Sequence, residues 1–139
     1  MNTLRLKVIT PRKIVIDKDV SSVTIPTAEG EVTILPNHSH LFSLLVEGII
    51  KIKERPNEED YLAIGGGYLE TDGKELSILV SRAYGQGEID EKLIAKATED
   101  AKKILASPAG DKEKAEALSM MRRATIDTKL LKKRKTRVV

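Results

Sequence analysis

Two imidazoles stand two residues apart in Asn37-His38-Ser39-His40, a spacing that can chelate a transition metal when both rings point the same way. The chain has no Cys, and no Asp or Glu lies close in sequence to complete a coordination sphere, so the expectation is no metal and a loop making polar contacts. The same residues contain a glycosylation sequon, which matters only in a secreted chain, and the start Met1-Asn2-Thr3-Leu4-Arg5 has no apolar signal core. Gly65-Gly66-Gly67 with Gly73-Lys74 suggests a phosphate cradle, but the spacing denies it. A P-loop needs four residues between its glycines and a hydroxyl after the lysine, whereas five separate Gly67 from Gly73 and Glu75 follows Lys74. A dinucleotide fingerprint fails too, because Glu70 stands where its third glycine belongs. These glycines are expected to mark bulges or close backbone approach. Without Cys there is no thiol catalysis, disulfide or Cys-ligated zinc. No Ser/His/Asp set emerges, and no carboxylate pair stands out from solvated acids such as Glu58-Glu59-Asp60. Catalysis by this chain alone is not expected.

Charge supplies the stronger signal. The net +3 of the 139 residues is unevenly spread: residues 1–87 hold ten basic and twelve acidic side chains, and residues 88–121 hold six and eight. Residues 122–139 carry eight basic side chains against Asp127 alone. Arg122 and Arg123 lead into Lys129-Leu130-Leu131-Lys132-Lys133-Arg134-Lys135, a run able to grip nucleic acid phosphates, anionic lipid or an acidic protein surface. Nucleic acid recognition commonly adds stacking aromatics, and none follows Tyr84. No segment approaches the roughly 20 apolar residues that cross a bilayer. The expectation is a soluble chain whose membrane association comes through a partner.

These groups must be positioned by two different architectures joined near Gly85-Gln86-Gly87. Before that point, Leu4, Leu6 and Val8 alternate with Arg5 and Lys7, the period of a half-buried strand. Short β-rich runs follow at 13–20, 23–25, 32–35, 42–46, 50–53, 61–64, 68–71 and 76–80, with turn chemistry at Thr27 to Gly30 and a hairpin signal at Asp72-Gly73. Eight to ten such strands predict an antiparallel β-sandwich or barrel over residues 1–86. After it, Ile89, Leu93, Ala97, Ala101 and Ile104/Leu105 form one helical stripe with Asp90 as N-cap. Ser107 to Asp111 breaks that helix. A second helix follows, expected to be capped by Asp111 and to bury Ala115, Leu118, Met121, Ala124 and Leu131. The two make an antiparallel hairpin over residues 88–139, an α+β chain in two parts. Alanine contacts bury little area, so this hairpin is expected to open easily.

A sandwich followed by a charged hairpin, with Ile25-Pro26-Thr27-Ala28-Glu29-Gly30-Glu31-Val32-Thr33-Ile34-Leu35-Pro36-Asn37-His38, resembles the ε subunit of F-type ATP synthases. The resemblance continues through Leu45 to Ile52, Ala63 to Glu70 and Ile89-Asp90, and spans essentially the whole chain. It implies a non-catalytic rotor-stalk subunit with no cofactor, bound to the central γ subunit through its sandwich and seated on the membrane-embedded c-ring. Glu31 would face the ring, and His38, Ser39, His40 and Leu41 would lie toward γ. The hairpin would fold on the sandwich or extend into the catalytic hexamer. There Arg122, Arg123, Lys129, Lys132, Lys133, Arg134 and Lys135 would meet acidic elements of the β subunits and inhibit ATP hydrolysis, with the α subunits as further partners. The implied location is the cytoplasmic face of a bacterial inner membrane or the stromal face of a thylakoid, peripheral through the complex. Some members bind regulatory ATP through an Ile-Asp-x-x-Arg-Ala pattern. Here Ile89 and Asp90 are present but Leu93 and Ile94 replace Arg and Ala, so ATP binding is expected to be weak or absent, with Arg122 and Arg123 left as phosphate contacts. The competing reading from a different class is a basic nucleic-acid-binding module on a sandwich platform. A hydrolase would rest on the His pair alone.

Overall fold

The computed structural model describes residues 2–133. Among them the strands are β1 (Leu4–Ile9), β2 (Ile14–Val20), β3 (Ser22–Thr27), β4 (Gly30–Ile34), β5 (Leu41–Leu45), β6 (Gly48–Arg55), β7 (Glu58–Ile64), β8 (Gly67–Thr71), β9 (Glu75–Val80) and β10 (Ala83–Tyr84). A short 3-10 turn, Gln86–Glu88, leads to helices α1 (Glu91–Ala106) and α2 (Asp111–Leu131). The expected plan of a sandwich and a helical hairpin is present.

The strands form one continuous path, β10-β7-β6-β3-β5-β8-β9-β1-β2, with β4 added to β3. It folds into two layers at β3, whose first residues pair with β6 while Thr27 pairs with Leu45 of β5. Across the interior β2 packs against β6. Alternation decides which side chains enter that interior: Leu4, Leu6 and Val8 are fully buried, whereas Arg5 and Lys7 point outward. Outside, Arg5 reaches Asp17 at 2.8 Å and Lys7 reaches Glu75 at 3.0 Å. Ile25, Ile34, Ile50, Ile52, Leu62, Leu69 and Ile78 complete the core from both layers. Each fully buried aliphatic of this size contributes about 1.5–3 kcal/mol, so branched aliphatics suffice without aromatics. One ladder departs from the antiparallel plan. β1 and β9 run parallel, Arg5 opposite Glu75 through Ile9 opposite Leu79. Segments so far apart in sequence have no hairpin to force them antiparallel.

The glycines serve close approach. A Cβ on Gly67 would lie 1.9 Å from the carbonyl oxygen of Leu79, so β8 and β9 can meet there only through glycine. At the β8–β9 turn the two central residues are Gly73-Lys74, one position later than Asp72-Gly73. Gly73 takes φ +92°, and the Asp72 side chain accepts hydrogen bonds from the backbone of Lys74 and Glu75, both at 2.9 Å.

Asp90 caps α1 as expected, accepting from the backbone N–H of Lys92 at 2.9 Å. Asp111 does not cap α2. Gly110 holds the N-cap position, and Asp111 is the first helical residue, where its charge still complements the positive end of the helix. The buried stripe of α2 also differs: Ala117, Ala124 and Leu130 are buried, while Ala115 is exposed and Leu118 is 48% exposed. On α1 the buried residue is Ala101, and Leu93 is 64% exposed. The reason is shared. α2 has two neighbours, α1 on one side and β6 and β7 on the other, and the small Ala117 and Ala124 admit both closely.

Candidate functional site

The loop between β4 and β5 is fixed from below by the β8–β9 turn. Asn37 adopts φ 67°, its N–H donates to the Gly73 carbonyl at 2.7 Å, and a Cβ on Gly73 would lie 2.6 Å from the His38 carbonyl oxygen. His38 is half-buried, its Nδ1 2.8 Å from the Ser39 carbonyl oxygen, while Ser39 and His40 are exposed. Among the described residues no group of three or more His, Asp or Glu side chains could hold a metal. Leu41 turns inward against the core. Its neighbours on β5 do the opposite: Phe42 and Leu44 are each 61% exposed, and Phe42 rests 5.2 Å from the Tyr68 ring on β8. With Leu35 and Val46 also exposed, an apolar surface continues from the histidine loop along β5. Sequence reasoning missed Phe42 and Leu44. The available signal was a strand apolar at every position but Ser43, which marks a strand meant to be covered on both faces.

A second site lies where the hairpin meets the sandwich. The β1–β2 turn, the segment 81–84, the start of α1 and the middle of α2 enclose a cleft of about 820 Å³. Ile89, Asp90 and Arg123 line it together, and Leu93 and Ile94 line it where a cation and a small residue were looked for. Arg12, Lys13 and Arg82 are brought in by topology, which spacing along the chain could not show. Arg122 does not join them. Its Nε lies 3.5 Å from Glu47, whose other oxygen accepts from Arg82 at 2.7 Å.

Polar contacts along the same seam hold α2 to the sandwich. The Tyr84 hydroxyl donates to Asp127, and burial first, then that hydrogen bond, raises the phenol above its ordinary pKa. The Arg123 guanidinium lies 5.6 Å from the Tyr84 ring centroid. Gln86 Nε2 donates to the carbonyls of Leu130 at 2.6 Å and Lys133 at 2.8 Å, satisfying groups that a helix end leaves open. Lys133 in turn lies 5.2 Å from the Tyr61 ring centroid.

The basic end is split by these contacts. Lys129, Lys132 and Lys133 gather over the outer face of β3, β6 and β7, in a groove that Glu31 also lines. Arg122 and Arg123 lie on the sandwich–hairpin seam, and Arg134 and Lys135 fall outside the described residues. No helix among the described residues is long and apolar enough to cross a membrane.

Comparison with known proteins agrees with this architecture. The model of the family described as ATP synthase, Delta/Epsilon chain, beta-sandwich domain matches residues 3–86. The ATP synthase epsilon chain of Campylobacter curvus is 38% identical over 111 residues, 80% of this chain and 86% of the relative. Among solved structures, a chain of the Euglena gracilis mitochondrial ATP synthase, OSCP/F1/c-ring assembly, superposes with TM-score 0.70 at 22% identity, covering 94% of this chain and 78% of that one. A chain of the Tetrahymena thermophila mitochondrial ATP synthase central stalk and c-ring gives TM-score 0.65 at 19% identity, covering 92% and 96%. Those two likenesses speak for the fold, helices included; the sandwich match and the identity shared with an epsilon chain over most of both lengths show that this chain belongs to the ATP synthase epsilon-chain family, non-catalytic subunits of a larger enzyme.

Proposed function

We propose that this chain is a central-stalk subunit that couples the catalytic head of an ATP synthase to its c-ring, and that its hairpin restrains ATP hydrolysis when it leaves the sandwich. The observation that carries this reading is the seam of α2. Two of its three buried side chains are alanines, and a handful of polar contacts at Tyr84, Gln86 and Glu47 hold the helix down. At about 25 cal/mol per Å² an alanine interface is weak, so a competing surface can displace it. The released helix then offers Arg122, Arg123, Lys129, Lys132 and Lys133 to acidic elements of the β subunits. The sandwich remains behind, with the histidine loop, Phe42 and Leu44 as its γ-binding surface and Glu31 toward the ring. Membrane association is indirect, on the side that carries the catalytic head.

Regulatory ATP is held weakly or not at all in the 820 Å³ cleft, because Leu93 and Ile94 give the phosphates no partner from α1. Micromolar affinity in equilibrium dialysis would contradict this. The coupling and restraint are tested by truncation after Gln86. The remaining residues should still bind γ, and hydrolysis by the reconstituted complex should rise; equal rates with intact and truncated chain refute the brake.

A further inference from the structure

We propose that the groove between the outer face of β6 and the last turn of α2 is a binding site for an anion of the diphosphate class. Strand register builds its floor. Lys51 on β6 stands opposite Thr24 on β3 and Tyr61 on β7, so these side chains share the outward face of the layer. The end of α2 lies over that face, adding Lys129, Lys132 and Lys133 and enclosing about 460 Å³, within the range of small-molecule sites. Four ammonium groups and one carboxylate, Glu31, line the space. Lys51, Lys129 and Lys132 come from two elements, and with Lys133 they outnumber the Glu31 carboxylate, so the lining carries an excess of positive charge.

An excess of ammonium groups along one groove attracts an anion, and lysine is a common point-charge partner of phosphate. At the end of the helix the Gln86 amide donates to the carbonyls of Leu130 and Lys133, so these oxygens are turned to a protein donor, and the lysine charges must outweigh the remaining negative potential of the helix end. A monovalent anion would leave most of the excess charge uncompensated. A diphosphate matches that excess and has two phosphoryl groups, one for Lys51 on the sheet and one for Lys129 and Lys132 on the helix. Because the site exists only while α2 lies on the sheet, bound diphosphate must favour the docked hairpin by mass action.

The test is calorimetric titration of the full chain with inorganic pyrophosphate at about 0.1 M salt, where only short-range charge contacts survive screening. One saturable site is expected. A variant carrying Lys51→Gln and Lys132→Gln, which removes two charges and keeps side chains of similar length, should bind about tenfold more weakly. Lys74→Gln, an exposed lysine on the β8–β9 turn outside the groove, should leave affinity unchanged. Pyrophosphate should also slow amide exchange in α2 of the unaltered chain and not in the double variant. ADP in place of pyrophosphate distinguishes the source: equal affinity identifies the inorganic anion, and tighter lysine-dependent binding identifies a nucleotide's diphosphate. Absence of saturable heat overturns the proposal. So does an equal weakening by Lys74→Gln, or tighter binding of a glutamate-rich peptide through the same lysines.

Discussion

Replacing Tyr84 with Phe removes one hydroxyl and tests how firmly α2 is held. The phenol is half-buried and donates to the Asp127 carboxylate, and a hydrogen bond to a charged group contributes about 1.5–3 kcal/mol. Asp127 lines the open sandwich–hairpin cleft, where water can replace the lost donor, which places the cost near the lower figure. Every 1.4 kcal/mol is about a factor of ten in an equilibrium constant, so the open fraction of the hairpin should grow about tenfold. Gln86 still holds the carbonyl end and Arg123 still covers the ring face, so opening is favoured without becoming complete. Amide exchange measured by mass spectrometry should show protection of α2 falling by that factor while β6 and β7 keep theirs. Two results would refute the reasoning: unchanged protection in α2, or equal loss in helix and core strands, which would mean that the hydroxyl stabilises the sandwich itself.

The same contact has a pH signature. The raised Tyr84 pKa means that the stabilisation is fully present below the ordinary phenol value and disappears as pH rises through the folded-state value, so α2 protection should drop selectively above about pH 10, and Tyr84→Phe should abolish that step. Gly73→Ala should lower stability by about 1–3 kcal/mol in urea melts, since it meets both the left-handed backbone penalty and the His38 carbonyl; a smaller shift would show that the loop yields. Phe42→Ser should leave the melting transition within about 0.5 kcal/mol, as expected for an exposed residue, while weakening capture of the γ subunit; undiminished capture would remove Phe42 from the docking surface.

What could be read along the chain, and what could not, follows from which interactions are local. Leu4, Leu6 and Val8 announced their strand because alternation is a property of one segment. Asp90 announced its helix because a cap acts on residues two and three further on. Asp72 and Gly73 marked a turn, and only its centre moved by one residue. The stripe of α2 was misplaced because burial there answers to two neighbours, and periodicity names a face without naming its partner. Arg12 and Lys13 belong to the cleft through the β1–β2 turn, more than 70 residues from Asp90, a relation that spacing does not encode. Arg122 and Arg123 looked equivalent, yet one helical step of about 100° sends one to Glu47 and the other to Tyr84.

The parallel ladder between β1 and β9 has a consequence for synthesis. Leu4–Ile9 has β2 as its only early partner, and its other edge stays bare until Glu75–Val80 has emerged. At about 5–20 residues per second this exposes an apolar strand edge for several seconds on every ribosome. A two-stranded hairpin has little stability of its own, so the nascent layer has no independent fold to retreat to. Outward charges, Arg5 and Lys7 on β1 and Asp17 and Asp19 on β2, are the kind of gatekeepers that discourage pairing with a neighbouring nascent chain. Neutralising them should therefore reduce soluble yield more than it reduces the stability of chains that have already folded.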